Sequence, residues 1–286
     1  RENHEDVLPI VNAQGSDSAM LDNTLEFLYL NGMPIEKAVA TLIPHPWQHA
    51  SLPRKLKDFY HYHATLMEPW DRPAAVLFSD GVKLGAALDR NGLRPLRWWQ
   101  TDDGHVILSS ETGVLPIAEE HIIRKDRLRP GELLVIDTAV HRLIRDEECK
   151  LSMADEHPYG EWLDRSLIQL KDLPAQERKP YVFAPEHRDF LYRSFAYTYE
   201  DVRDQILPMA KNGIEPTASM GTDIPLAVLS SCHPLLFHYF KQLFAQVTNP
   251  PIDSLREKIV TDTAVYLGAQ GNLLAESAEG CRVLEI

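Results

Sequence analysis

Several signatures of common functional classes are absent from this chain of 286 residues. Its three cysteines, Cys149, Cys232 and Cys281, lie far apart without CxxC spacing, which suits a reducing compartment and gives no zinc or iron–sulfur motif. No apolar run approaches the length of a membrane span, and no GxGxxG, Walker, HExxH or GxSxG motif occurs. The net charge of -13, with no extended basic stretch, argues against binding to nucleic-acid phosphates.

The remaining composition is that of a globular protein, with 44% hydrophobic and 25% charged residues. Helical patterns come first and strand patterns follow, which predicts an α+β fold rather than alternating βαβ units. The predicted helices cover 17–31, 34–42 and 52–66. The predicted strands cover 74–78, 82–88, 93–99, 106–110, 132–137 and 140–144, with the first two and the last two forming antiparallel pairs.

The second half of the chain is more irregular. Residues 151–185 are charged and contain three prolines, which predicts a linker with short helices. Helical patterns return over 199–212 and 225–246. The consecutive prolines Pro250 and Pro251 then interrupt the pattern, because proline cannot extend a helix and restricts the residue before it.

The start of the first predicted helix is the most informative segment. Gly15 and Ser16 form a turn, Ser16 is a good N-cap, and Asp17 lies in the first turn, where the helix dipole favours a negative charge. An ordinary capped helix explains these residues. A carboxylate placed to bind a cationic group, such as an α-ammonium, explains them as well, and the local sequence leaves both interpretations open.

Other polar segments also have two interpretations. Asp89–Arg97 combines an Asn-Gly turn with three arginines, which suit either surface ion pairs or a structural role beside an acidic site. Thr248 and Asn249, stiffened by the following prolines, suit either a capped turn or the lining of a passage. His61 and His63 are two positions apart on a helix and point to different faces, so packing is favoured over metal binding.

Segments along nearly the whole chain, in order, closely resemble the large subunit of glutamate synthase in its NADPH- or ferredoxin-dependent forms. The matching segments are GSDSAMLDNTLEFL (15–28), LMEPWDRPAAVLFSDG (66–81), LDRNGLRPLRW (88–98), SSETGVL (109–115), RLRPGELLVID (127–137), SMGTDIPLAVLS (219–230) and YFKQLFAQVTNPPIDSLRE (239–257). Two departures resemble surface changes: Arg72 replaces the usual glycine, and His45-Pro46 replaces Glu-Ala.

The resemblance implies the fold and the domains. Residues 1–150 would be the C-terminal part of a class II glutamine amidotransferase domain, which has the αββα sandwich of N-terminal-nucleophile hydrolases. Residues 151–185 would be a linker, and 186–286 the mainly helical α/β start of the central domain.

The resemblance also implies the chemistry. In this family an N-terminal cysteine attacks the glutamine amide, ammonia crosses a tunnel to 2-oxoglutarate, and FMN, fed through a 3Fe–4S cluster, reduces the imine. Asp17 matches the carboxylate that binds the α-ammonium of glutamine, and Thr248 and Asn249 match the ammonia passage. The nucleophile belongs upstream of Arg1, and the FMN and cluster sites belong downstream of Ile286. We therefore expect no catalytic residue, metal site or cofactor in this chain, and no glutaminase activity from it alone.

The implied partners are glutamine, the remaining domains, and either a small NADPH-oxidising subunit or ferredoxin. Neither nucleic acid nor membrane is expected, and the expected location is the cytoplasm, or the plastid for a ferredoxin-dependent plant or algal form. The alternative is a non-catalytic scaffold or docking module with exposed sheet edges. An independent hydrolase that uses one of the 12 histidines has no motif to support it.

Overall fold

The computed structural model describes residues 8–48, 51–70, 72–174, 184–216, 227–240 and 264–286. They belong to two compact units, each described by itself below. The first unit comprises Arg1–Pro174 and Asp262–Ile286, and the second comprises Ala175–Thr261.

The described part of the first unit contains five α-helices and ten β-strands. The helices are α1 (Asp17–Leu30), α2 (Ile35–Leu42), α3 (Arg54–Ala64), α4 (Asp146–Ala154) and α5 (Tyr159–Ser166). The strands are β1 (Ala75–Ser79), β2 (Lys83–Leu88), β3 (Arg97–Thr101), β4 (Val106–Ser109), β5 (Ile122–Arg127), β6 (Leu133–Asp137), β7 (Arg142–Ile144), β8 (Ile168–Gln169), β9 (Tyr266–Leu267) and β10 (Leu284–Glu285).

The described strands form three sheets. The first is antiparallel with the order β1-β2-β6-β7, and the second is antiparallel with the order β4-β3-β5. The third has the order β8-β10-β9, with β8 and β10 parallel. The predicted hairpin is confirmed by pairing from Ala75 with Leu88 to Ser79 with Leu84, and the predicted pairing of 132–137 with 140–144 is confirmed by β6 and β7.

The central strands of the first sheet, β2 and β6, contribute buried residues to both faces, since alternate residues of a strand point to opposite sides. On β6, Leu133 and Val135 pack against the helices, whereas Leu134 packs toward the second sheet. On β2, Ala87 joins the helical side, and Ala86 joins Trp98 of β3 on the other. Helices, first sheet and second sheet therefore form successive layers, and the predicted α+β class is confirmed.

Part of the predicted linker lies in this first unit. Met153 of α4 and Tyr159 and Leu163 of α5 are buried in the largest core cluster, together with Phe59 of α3. At the other end of the chain, residues 264–286 fold with the first unit, although the sequence groups them with the second predicted domain. The unit boundaries and the predicted domain boundaries thus differ at both positions.

The described part of the second unit is helical. It contains α6 (Pro185–Ser194), a π-helical turn (Asp201–Ile206) and α7 (Leu207–Asn212), which ends at Gly213 with a φ of 66°. The helix predicted over 199–212 is therefore confirmed, apart from its π-helical turn.

The continuous helix predicted over 225–246 is wrong for the described residues, which contain two short 3₁₀ helices, Ala227–Leu229 and Leu236–Phe240. Pro234 lies between them, and proline both lacks an N–H donor and disfavours helical geometry in the preceding residue. Among the described helices, none is both long and apolar enough to cross a membrane.

Candidate functional site

The site begins with the turn that starts α1. The Gly15 N–H donates to the carbonyl of Asn12 at 2.9 Å, and a Cβ at Gly15 would lie 3.1 Å from that oxygen. The Ser16 hydroxyl then accepts from the N–H of Ala19 at 3.3 Å, as expected of an N-cap. The predicted capped helix is confirmed, and its cap fixes Asp17 in the first turn.

Asp17 forms an ion pair with Arg72. The Nη1 atom of Arg72 donates to Oδ2 of Asp17, and the side chains are 71% and 48% exposed, respectively. The carboxylate therefore lies at the surface, at the positive end of α1, and already binds a cationic group.

The loop that carries Arg72 is fixed on both sides. The Trp70 N–H donates to the carbonyl of Leu42 at 2.9 Å, and the Trp70 indole N–H donates to the carbonyl of Arg72 at 2.7 Å. Two residues after Arg72, the Ala74 N–H donates to a carboxylate oxygen of Asp89 at 2.8 Å. The main chain at Arg72 is thus held within reach of Asp17.

A groove of about 750 Å³ runs between α1 and β1, starting at Ser18 beside Asp17. Leu21 and Leu25 line it on the helix, Leu77 lines it on β1, and Asp22 adds a negative charge. Since β1 is the edge strand of the first sheet, the groove follows a sheet edge.

Asp89 organises the arginine-rich segment. Its side chain accepts from the N–H groups of Ala74 at 2.8 Å and of Asn91 and Gly92 at 2.9 Å each, and Asp89 is 1% exposed. The turn at Asp89–Gly92 is therefore held by a buried carboxylate. Of the three arginines, Arg90 is buried whereas Arg94 and Arg97 are exposed.

A buried ionic network lies around Glu276. Its Oε1 is 2.7 Å from Lys37 Nζ and 3.2 Å from His63 Nε2, and its Oε2 accepts from the Tyr159 hydroxyl at 2.6 Å. The side chains of Glu276 and Lys37 are 7% and 6% exposed, and Lys37 also contacts Glu156 at 2.6 Å. The network joins α2, α3 and α5 to the C-terminal segment.

A second contact fixes the same segment. The Tyr62 hydroxyl donates to the carbonyl of Ser277 and accepts from its N–H, both at 2.9 Å. His63 also contacts the Phe59 carbonyl through Nδ1 at 2.8 Å, whereas His61 faces Glu285 at 3.0 Å. The two histidines therefore have different partners, in agreement with the predicted packing role.

Acid is expected to weaken the first unit in two stages. Burial lowers the pKa of His45 from 6.5 to about 4, assisted by the nearby charge of Lys150. Burial alone would raise the pKa of Glu276, but hydrogen bonds from His63, Lys37 and Tyr159 outweigh it and lower that pKa from 4.5 to about 2. Both pKa values are depressed in the folded state, so the stability they confer is complete above the unfolded values and is lost as pH falls.

Urea unfolding at a series of pH values measures both stages. The free energy of unfolding should fall first between pH 6.5 and 4 because of His45, and then by about 3 kcal/mol between pH 4.5 and 2 because of Glu276. Glu276→Gln should flatten the second stage only. An unchanged second stage in that variant would contradict the assignment.

Within the described residues, no group of three or more His, Cys, Asp and Glu side chains is arranged to hold a metal ion. Cys149 and Cys281 are packed in the largest core cluster, and burial raises the pKa of both thiols, that of Cys149 to about 12. These two thiols are therefore unsuited to hold an iron–sulfur cluster, which requires several thiolate ligands.

The sequence-predicted site residues have different outcomes. Asp17 is placed at the surface start of α1, whereas Thr248 and Asn249 lie outside the described residues. Sequence reasoning missed the roles of Arg72 and Glu276. The departure at Arg72 was the only signal for that residue, because it places a charge where the family has glycine, and Glu276 offered no local signal.

Comparison with protein families gives two matches. Residues 1–162 match the model described as class-II glutamine amidotransferases, and residues 191–286 match the glutamate synthase central domain.

Individual relatives are similar over almost the whole chain. The glutamate synthase [NADPH] large chain of Bacillus subtilis is 46% identical over 98% of this chain and 18% of its own length. The ferredoxin-dependent glutamate synthase 2 of Synechocystis is 42% identical over 99% of this chain and 18% of its own. The glutamate synthase [NADH] of Schizosaccharomyces pombe is 41% identical over 98% of this chain and 14% of its own length. The chain thus spans less than a fifth of the length of these relatives.

Proposed function

Because this chain belongs to the glutamate synthase family, we propose that it works as part of a glutamate synthase polypeptide, in the amidotransferase that releases ammonia from glutamine. The predicted N-terminal-nucleophile hydrolase fold agrees with the family match over 1–162 and with the layers of helices and two sheets. The released ammonia would serve the reductive formation of glutamate from 2-oxoglutarate.

Asp17 would bind the α-ammonium group of glutamine. One observation carries this assignment: its carboxylate lies half exposed at the start of α1 and already binds the guanidinium of Arg72. A carboxylate in that position can form charge-assisted hydrogen bonds with an ammonium group. The groove between α1 and β1 begins one residue further along the helix, at Ser18.

The other parts of the reaction are proposed from the family resemblance. Thr248 and Asn249 would contribute to the ammonia passage toward the central domain. FMN and the 3Fe–4S cluster would be held by other parts of the polypeptide, with ferredoxin or a small NADPH-oxidising subunit as electron donor. The location would be the cytoplasm, or the plastid in a plant or algal form.

We propose that the chain alone does not hydrolyse glutamine. The amidotransferase mechanism needs a thiolate nucleophile, and the raised pKa values of the buried Cys149 and Cys281 thiols disfavour that form. Cys232 is exposed, but like the other two cysteines it lies inside the chain and has no α-amino group of its own to act as the base. An ammonia-release assay on the purified chain tests this point.

Replacing Asp17 with asparagine tests the ammonium assignment in the complete polypeptide. The KM for glutamine should rise by about tenfold to a hundredfold, because a charge-assisted hydrogen bond to the ammonium is worth about 1.5–3 kcal/mol. The kcat for ammonia release should change little, since the α-ammonium is remote from the amide. Steady-state glutaminase kinetics measure both constants.

The matched control is Glu147→Gln. Glu147 is an exposed carboxylate in the first turn of another helix, α4, and its replacement removes the same charge from an equivalent position away from the groove. The KM of this variant should stay within twofold of the parent value. Equal KM values for the Asp17 and Glu147 variants would contradict the assignment.

A further inference from the structure

Arg72 competes for the same carboxylate that the substrate would use. Its guanidinium donates to Oδ2 of Asp17, and a substrate ammonium bound to Asp17 would need that carboxylate. We propose that Arg72 sets the affinity of this site for amino acids, because its guanidinium occupies Oδ2 of Asp17 and competes with an α-ammonium group for that carboxylate. This inference rests on the proposed role of Asp17.

Hydrogen bonds from Trp70 keep the main chain of Arg72 close to Asp17. The indole N–H of Trp70 holds the Arg72 carbonyl at 2.7 Å, and the Trp70 main chain is itself bound to Leu42 at 2.9 Å. The backbone therefore keeps the guanidinium near Asp17 at a high effective concentration.

The surroundings also make the pair displaceable. Arg72 is 71% and Asp17 is 48% exposed, and exposed ion pairs contribute little to stability. After displacement the guanidinium can extend into water without a desolvation penalty. The competition should therefore weaken substrate binding moderately, without blocking the site.

Kinetics of the complete polypeptide test this inference. Arg72→Gln removes the charge and keeps most of the side-chain length, and it should lower the KM for glutamine by about twofold to fivefold with kcat unchanged. Arg72→Lys keeps the charge and should retain a KM close to that of the parent. Arg142→Gln removes the charge of another exposed ion pair, with Glu148, and should have no effect.

A substrate analogue separates competition at Asp17 from a general change in the site. The probe is 4-carbamoylbutanoate, which has the amide and carboxylate of glutamine but no α-ammonium. Its inhibition constant should be the same for the parent and for Arg72→Gln. An equal gain in affinity for glutamine and for the analogue would overturn the inference, because the effect would not act through the ammonium group.

The Asp17 variant separates a failure of the proposed role of Asp17 from a failure of the proposed role of Arg72. If Asp17→Asn raises the KM and Arg72→Gln leaves it unchanged, the proposed function stands and the inference about Arg72 fails. If Asp17→Asn leaves the KM unchanged, the proposed role of Asp17 fails, and this inference fails with it. A higher KM in Arg72→Gln would also overturn it, since Arg72 would then position Asp17 rather than compete for it.

Discussion

Replacement of Glu276 with alanine is expected to lower the free energy of unfolding of the first unit by about 3–5 kcal/mol. The change removes a carboxylate that lies 2.7 Å from Nζ of Lys37. The Lys37 side chain is buried, with 6% of its surface exposed. It also leaves the hydroxyl of Tyr159 and Nε2 of His63 without this acceptor. Lys37 keeps the half-exposed Glu156 as a partner but loses the more buried of its two carboxylates, so much of its desolvation cost is no longer compensated.

Urea denaturation of the chain, followed by tryptophan fluorescence, measures this loss. Glu276→Gln should have an intermediate effect, because the amide oxygen still accepts hydrogen bonds but carries no charge. Glu279→Ala is the matched control, since the Glu279 side chain lies in the same segment but is 84% exposed. A loss below 1 kcal/mol for Glu276→Ala would show that the network does not stabilise the unit.

The Glu276 network also explains why the folded unit and the family matches divide the chain differently. Glu276 and Ser277 lie within the region that matches the central domain, 191–286. They nevertheless bind Lys37, Tyr62 and Tyr159, which lie within the amidotransferase match, and they fold with the first unit. Residues 264–286 thus belong by contact to the amidotransferase part, whatever their evolutionary origin.

Elements with local signals could be predicted from the sequence. The start of α1 was predictable because Ser16 is an N-cap, and its end because Asn31 and Gly32 terminate it. The hairpin of β1 and β2 was predictable because Asp80 and Gly81 form its turn. In each case the residues that decide the structure are neighbours in the sequence.

Features that depend on distant contacts could not be predicted. The contact between His63 and Glu276 joins residues 213 positions apart, and the pair of Asp17 and Arg72 joins residues 55 positions apart. No periodicity or propensity connects such positions. The role of Asp89 could not be predicted either. The three arginines are the conspicuous residues of its turn in the sequence, whereas in the structure the buried Asp89 carboxylate accepts the hydrogen bonds.

Asp89→Ala is therefore expected to cost about 3–5 kcal/mol of stability, because three backbone N–H groups lose a buried, charged acceptor. Asp80→Ala is the matched control. The Asp80 carboxylate also accepts from two backbone N–H groups of a turn, those of Val82 and Lys83, but it lies in a more exposed hairpin. Its loss should cost about 1 kcal/mol.

Hydrogen exchange locates the effect of the Asp89 substitution. The amides of Ala74, Asn91 and Gly92 should lose protection in Asp89→Ala, whereas amides of the Asp80 turn should be unchanged. Asp89→Asn should restore part of the protection, because its amide oxygen can still accept from these donors. If Asp89→Ala lowers the free energy of unfolding no more than Asp80→Ala does, the buried Asp89 carboxylate does not stabilise the turn more than an exposed one would. Unchanged protection of the Ala74 amide in Asp89→Ala would show in addition that its hydrogen bond to Asp89 does not hold the loop that carries Arg72.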